Sequence, residues 1–362
     1  MVQTFTFFIT AFLITYFAVP SIIKVATIRN LFDEPDERKL HQNTIPALGG
    51  VAIFAGIFFS VLFWAESFNF SLLRWIMLSL VITFMLGLKD DIVAIDPLKK
   101  LLGLLAASGL VIVYGDIRIA SFHGLLGVGE LPYLVSVLFT LFVFIVIINA
   151  VNLIDGINGL AGGIGTIASL AFGTLFLLND HSNAAAFAFA TAGSLLAFLR
   201  YNFSTAKIFM GDGGALVLGF VLSVLCTRFM NSDISLGMLP NSSISTPLMA
   251  LAILIIPLVD TLRVFIIRIA DGRSPFSADR NHLHHQLLDL GFSHRRAAVI
   301  LYAANIYFIL LTAFSMSLGI HTVLFLMLIT AFVFSQIPAL ILRNRAQATE
   351  QIFEKKVERH AA

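Results

Sequence analysis

The sequence predicts an all-α integral membrane protein of about eleven transmembrane helices, with the N-terminus outside and the C-terminus in the cytoplasm. Composition is the first reason: 58% of residues are hydrophobic and 12% charged, and the mean hydropathy is +0.93. A soluble domain is far more charged than this. The second is the recurrence of apolar runs near the length that crosses a bilayer, roughly 20 residues of helix for a core about 30 Å thick. The third is charge placement. Of 23 basic residues, 20 fall on one set of loops and the C-terminal stretch, leaving Arg74, Arg118 and Arg228 on the other, a bias that sets orientation by the positive-inside rule.

The first run, 2–23, has no basic stretch before it and no small-residue cleavage site after it, so it reads as a span rather than a leader. Runs at 47–65 and 72–88 follow, the first entered through Gly49-Gly50 and the second closed by Lys89. The run at 100–114 is short for a crossing and is read as tilted or partly re-entrant. Further runs cover 133–151, 160–178, 184–200, 211–230, 246–268, 297–318 and 320–342. Trp64, Trp75, Tyr114 and Tyr133 flank the outer loops, where an interfacial aromatic belt belongs. The lone Cys226 lies in an apolar run, which excludes a disulfide framework and a thiolate metal site. Residues 1–342 form one membrane domain, and 343–362 a charged cytoplasmic tail.

Polar clusters gather at the inner ends of these runs. The run at 133–151 closes on Asn149, Asn152 and Asp155, three residues apart and so within one helical sector, followed by Gly156, Asn158, Gly159, Gly162 and Gly163. Glycine at this density lets backbone approach a ligand or another helix. Asp155 needs a cation, a donor or water. Asp90 and Asp91 adjoin at a helix end where they repel each other and oppose the macrodipole, a placement that calls for a cation between them.

Two more segments have the same polar character. Lys207 and Phe209 precede Gly211-Asp212-Gly213-Gly214, where Asp212 suits either a helix cap or a ligand, and Phe209 could stack on a planar base. The longest inner loop holds Arg280 and then His282, His284 and His285. Histidines at that density fit zinc, or phosphate oxygens if the carboxylates elsewhere hold a hard, oxygen-preferring cation. An earlier charged stretch adds Arg38, Lys39 and His41, and Lys100 follows Asp96-Pro97. Carboxylates and cationic side chains in quantity on one membrane face suit phosphoryl transfer between a lipid and a cytosolic substrate. A transporter or flippase for an anionic lipid is the alternative of another class, but it would place its polar sites near mid-membrane.

In their order, Arg38-Lys39-Leu40-His41 with Pro46 and Gly49-Gly50, Asp90-Asp91, Asn149 to Gly159, Phe209 to Asp212, and Ala278 to His285 resemble the polyprenyl-phosphate N-acetylhexosamine-1-phosphate transferases. The resemblance implies an eleven-span fold and transfer of a sugar 1-phosphate, N-acetylglucosamine 1-phosphate by default, from a UDP-sugar to undecaprenyl phosphate. UMP would leave, and Mg2+ would be required, with Mn2+ as a substitute. By the same resemblance Asp212, Asn152 and Asp155 are the metal set, and Asp90 and Asp91 deprotonate or orient the lipid phosphate. Asn149, Asn152 and Asn158 are placed on the substrate with Arg38, Lys39, His41, Lys100, Lys207, Arg280, His282, His284 and His285, and Phe209 stacks on uracil. Family members often carry a second Asp where this chain has Asn158. The spacing of the final histidines resembles the simple UDP-N-acetylhexosamine branch more than the muramoyl-pentapeptide branch. The implied setting is the cytoplasmic membrane with the site facing the cytosol, in a chain that could form a homodimer and has no nucleic-acid partner.

Overall fold

The computed structural model describes residues 2–29, 45–67, 70–235, 245–274 and 281–361. Among these residues the chain is all-helical, with an isolated bridge between Ser121 and Glu130 in place of any strand. The helices are α1 (Val2–Ile28), α2 (Gly49–Phe63), α3 (Phe70–Ile92), α4 (Pro97–Val113), α5 (Tyr133–Ile154), α6 (Leu160–Leu178) and α7 (Ser182–Asn202). They continue as α8 (Gly211–Met230), α9 (Thr246–Ile253), α10 (Ile255–Ala270), α11 (Leu283–Asp289), α12 (His294–Ser315) and α13 (Ile320–Ala361). Helix is the expected answer in a bilayer, because each backbone amide must find its partner within the segment.

Each apolar run of the sequence lies in one helix or, for 246–268, in the pair α9 and α10. Eight of the described helices are long and apolar enough to cross a membrane, and nine spans result if the bent pair is one. The difference from eleven lies in α2, with 15 residues, and α4, with 17. The charged C-terminal stretch continues α13 without a break as far as Ala361.

At the centre stands α8, whose apolar stretch is 94% buried, packed by α2, α3, α5 and α6. Backbones come very close at its start, where a Cβ on Gly50 of α2 would collide with the Gly214 backbone. The outward surface is apolar, with Phe5, Phe17, Phe314 and Phe332 each well over half exposed; in a membrane that surface faces acyl chains. At the end away from the polar clusters, Trp75 stacks on Tyr114 with ring centroids 5.0 Å apart, and the Arg118 guanidinium lies 4.9 Å from the Tyr133 ring.

The bend between α9 and α10 is 74°. Its cause is Pro257, which has no N–H to offer the Ile253 carbonyl four residues back. Asn305 of α12 supplies the missing donor, its Nδ2 bonding that carbonyl at 3.1 Å. A break inside an apolar segment is tolerable only when a neighbour satisfies the freed group in this way.

Candidate active site

Helix ends rather than helix middles bring the polar residues together. The C-terminus of α3 carries Asp90 and Asp91, the C-terminus of α5 carries Asn152 with Asp155 as its cap, and the N-terminus of α8 carries Asp212. Lys100 enters from the first turn of α4, which Asp96 caps by accepting from the N–H groups of Leu98 and Lys99 at 3.0 and 3.3 Å.

A continuous set of bonds joins these ends. Asp90 accepts from the Ile95 N–H at 2.6 Å and from Lys100 Nζ at 2.7 Å. The same ammonium reaches Asp212 Oδ2, while Asn152 Nδ2 donates to Asp212 Oδ1 at 2.7 Å. Asp91 accepts from the backbone N–H groups of Asp212 at 2.6 Å and Gly213 at 2.8 Å. Both of its oxygens therefore cap α8 from a different helix.

The Asp155 N–H closes α5 on the Asn152 carbonyl at 3.3 Å, but its side chain has no hydrogen bond among the described residues, and desolvation, then the charges of Asp212 and Asp91, push its carboxyl well above the usual carboxylate range. Four carboxylates thus meet at this membrane edge, and among the described residues Lys100 is the ammonium bonded to them. The imbalance favours a bound cation. Among the described residues no three His, Cys, Asp or Glu side chains form a ready-made metal cage. The donor set here includes an amide, and oxygen from carboxylate and amide suits a hard ion.

The histidine segment joins the site through the loop after α5. His284 is 1% exposed and packs so tightly on Gly156 that a Cβ there would strike its Nε2. Among the described residues neither ring nitrogen of His284 has a partner, and burial pushes its pKa down to about 3. A buried, unpartnered imidazole beside the Asp155 loop is a polar group left for a ligand. The loop itself is fixed from several sides: Asn158 N–H lies 3.5 Å from His294 Nδ1, Gly159 N–H donates to Asn202 Oδ1 at 2.7 Å, and the Tyr302 hydroxyl donates to the Gly159 carbonyl.

Other sequence expectations separate spatially. Asn149 turns its amide onto its own helix, donating to the Ile145 carbonyl at 2.7 Å. Lys207 is exposed. Phe209 is half-buried, and its backbone pairs with Pro46 at 2.8 Å and Gly49 at 2.9 Å, which ties the Pro46–Gly50 motif to the start of α8. Asn158 is buried and meets His294 through its backbone. Arg38, Lys39, His41 and Arg280 lie outside the described residues. Sequence reasoning missed Asp260, which holds His282 and Leu283, and also Asn202, His294 and Tyr302 around the loop. The signal for Asp260 was available: an ionisable residue within the apolar run 246–268 marks a built site.

The family described as Glycosyl transferase family 4 matches residues 73–230. The chain is also 32% identical over 314 residues to a decaprenyl-phosphate N-acetylglucosaminephosphotransferase of Mycolicibacterium smegmatis, covering 81% of this chain and 77% of that protein. The chain belongs to the polyprenyl-phosphate N-acetylhexosamine-1-phosphate transferase family. A probable undecaprenyl-phosphate N-acetylglucosaminyl 1-phosphate transferase of Bacillus subtilis is 30% identical, over 85% of this chain and 84% of its own. An undecaprenyl-phosphate alpha-N-acetylglucosaminyl 1-phosphate transferase of Pasteurella multocida is 33% identical, over 81% and 80%. This family member is thus a phosphotransferase of the membrane. The matched stretch runs from α3 to the end of α8, so it contains all four carboxylates, Lys100 and Asn152, and ends before α10 and α11.

Proposed function

We propose that this family member transfers N-acetylglucosamine 1-phosphate from UDP-N-acetylglucosamine to undecaprenyl phosphate at the cytoplasmic face of the cell membrane, releasing UMP. The observation that carries the reading is the meeting of Asp90, Asp91, Asp155 and Asp212 with Lys100 at the ends of helices. A charged site at a membrane edge can reach a lipid phosphate and a cytosolic nucleotide together. The relatives' names supply the sugar and the polyprenyl class.

In the reaction an oxygen of the lipid phosphate bonds to the sugar-bearing phosphorus, and the bond from that phosphorus to the bridging oxygen breaks. The electron pair leaves with UMP. A phosphate monoester loses its second proton near pH 6, so its oxygen is already anionic and nucleophilic near neutrality. Asp90 and Asp91 therefore orient rather than activate, and Asp91 does so through its hold on the start of α8. Lys100 holds Asp90 and Asp212 at fixed separation. His282, His284 and His285 bind the donor with Arg280, and Phe209 stacks on uracil. The oxygen donors of Asp212, Asp155 and Asn152 fit a divalent ion, and Mg2+ bound there, or Mn2+ in its place, would neutralise pyrophosphate oxygens and the leaving UMP.

In this reading α2 and α4 cross as short, tilted helices and α9 with α10 forms one broken span, giving eleven crossings with the C-terminus inside. The product would arise on the inner leaflet and need another protein to turn it outward. The test is purified protein in detergent with Mg2+, undecaprenyl phosphate and labelled UDP-N-acetylglucosamine. Equal release of UMP and lipid-linked sugar is expected. No UMP from any UDP-N-acetylhexosamine would overturn the proposal.

A further inference from the structure

Helix α10 buries charge in a segment that reads as oily. Asp260 is 1% exposed and Arg263 is 7% exposed, whereas Leu262, Ile266 and Ile269 on the same helix are over half exposed. A carboxylate withdrawn from water is strongly destabilising unless it is bonded well. Asp260 is bonded well: its Oδ2 lies 3.0 Å from His282 Nδ1 and its Oδ1 accepts the Leu283 N–H at 2.8 Å. One turn on, Arg263 Nη1 donates to the Asn281 carbonyl at 2.7 Å. Three consecutive residues at the entry of the histidine segment are clamped by two buried residues of α10.

From this geometry we infer that Asp260 is a positioning residue for sugar-1-phosphate transfer, acting through His282. A carboxylate can only accept, so it commits the proton of His282 to Nδ1 and leaves Nε2 as the nitrogen presented to the sugar nucleotide. Its second oxygen fixes the backbone that carries the ring. The inference rests on the transfer reading above for what His282 meets, while the tautomer itself is independent of it.

The test uses the full chain in nanodiscs. Asp260→Asn keeps shape but turns an N–H towards Nδ1, which forces the opposite tautomer, as the equivalent change does in a serine-protease triad. Folded Asp260→Asn is expected to lose roughly 10- to 100-fold in kcat. In a His282→Gln background the same change is expected to cost nothing more. Histidine 15N spectra, with the His282 signal identified by its loss in His282→Gln, are expected to show Nδ1 protonated in the unsubstituted chain. An Nε2-protonated His282, unchanged kcat in Asp260→Asn, additive losses in the double variant, or loss of folded protein in Asp260→Asn would each overturn the inference. If the unsubstituted chain turns over no UDP-N-acetylhexosamine, the transfer reading fails, and the nitrogen spectrum still decides the arrangement of Asp260 and His282.

Discussion

Lys100 bonds Asp90 at 2.7 Å and Asp212 as well, so one ammonium from α4 bridges carboxylates on α3 and α8 that stand far apart in the chain. Removing it leaves two partly buried carboxylates facing each other. Lys100→Met is expected to lower kcat by about 100-fold or more, in keeping with the large cost of losing a group that sets the field at a reacting site. Lys100→Arg should recover only part of this, since a planar guanidinium cannot copy a point charge between two oxygens. UMP release under saturating substrates measures both.

Asp212→Asn is expected to abolish turnover while the protein stays folded. Its charge is one pole of the proposed cation site, and its side chain is held by Lys100 and Asn152. Thermal unfolding in detergent gives a second readout: millimolar Mg2+ should raise the midpoint of the unsubstituted protein by linkage and leave that of Asp212→Asn unmoved. Near-normal activity in the variant would remove Asp212 from the cation's shell.

His284 predicts a pH dependence of stability. Its pKa is about 3 in the folded chain, lowered mainly by desolvation, against an ordinary value of 6.5. Between those values the unfolded chain binds a proton that the folded chain refuses, so stability falls as pH drops from about 6.5 towards 3. The slope contributed is at most about 1.4 kcal/mol per pH unit. His284→Gln should flatten denaturant-derived stability over this window. An unchanged slope would show that the ring charges without cost.

Gly156→Ala places a methyl group against His284 Nε2. The loop must shift, and His284 or Asp155 shifts with it. Activity is expected to fall about 10-fold or more, since small displacements at a reacting centre are costly, while the melting temperature changes little because Gly156 is exposed on its other side. Wild-type kcat in this variant would mean that the contact does not position the site.

The polar ends were legible in the sequence because ionisable residues closing an oily run have few innocent explanations. Asp155 and Asp212 fall together in space as that reasoning requires. Asp91 shows its limit. Its unfavourable place at a helix C-terminus suggests a bound cation, yet the N-terminus of α8, 121 positions away, supplies the compensating N–H groups. Nothing local announces such a partner. Asp260 itself was legible as an ionisable residue in an oily run, but its partners were not: Arg263 and Arg268 beside it read as loop charges, because apolar periodicity cannot show that the helix breaks at Leu254 and turns by 74°. The role of Asn305 as donor to Ile253 was equally invisible, since the need arises only once Pro257 has broken the ladder.

The burial of α8 also bears on how the chain is made. Its main packing partners, α2, α3, α5 and α6, all precede it in sequence, and so does Asp91, the acceptor for its first N–H groups. When the ribosome delivers α8, its cradle and its cap are already in the membrane, and a helix with almost no surface for lipid has a place waiting. Folding in order of synthesis therefore lets the carboxylate cluster assemble before α10 and the histidine segment join it.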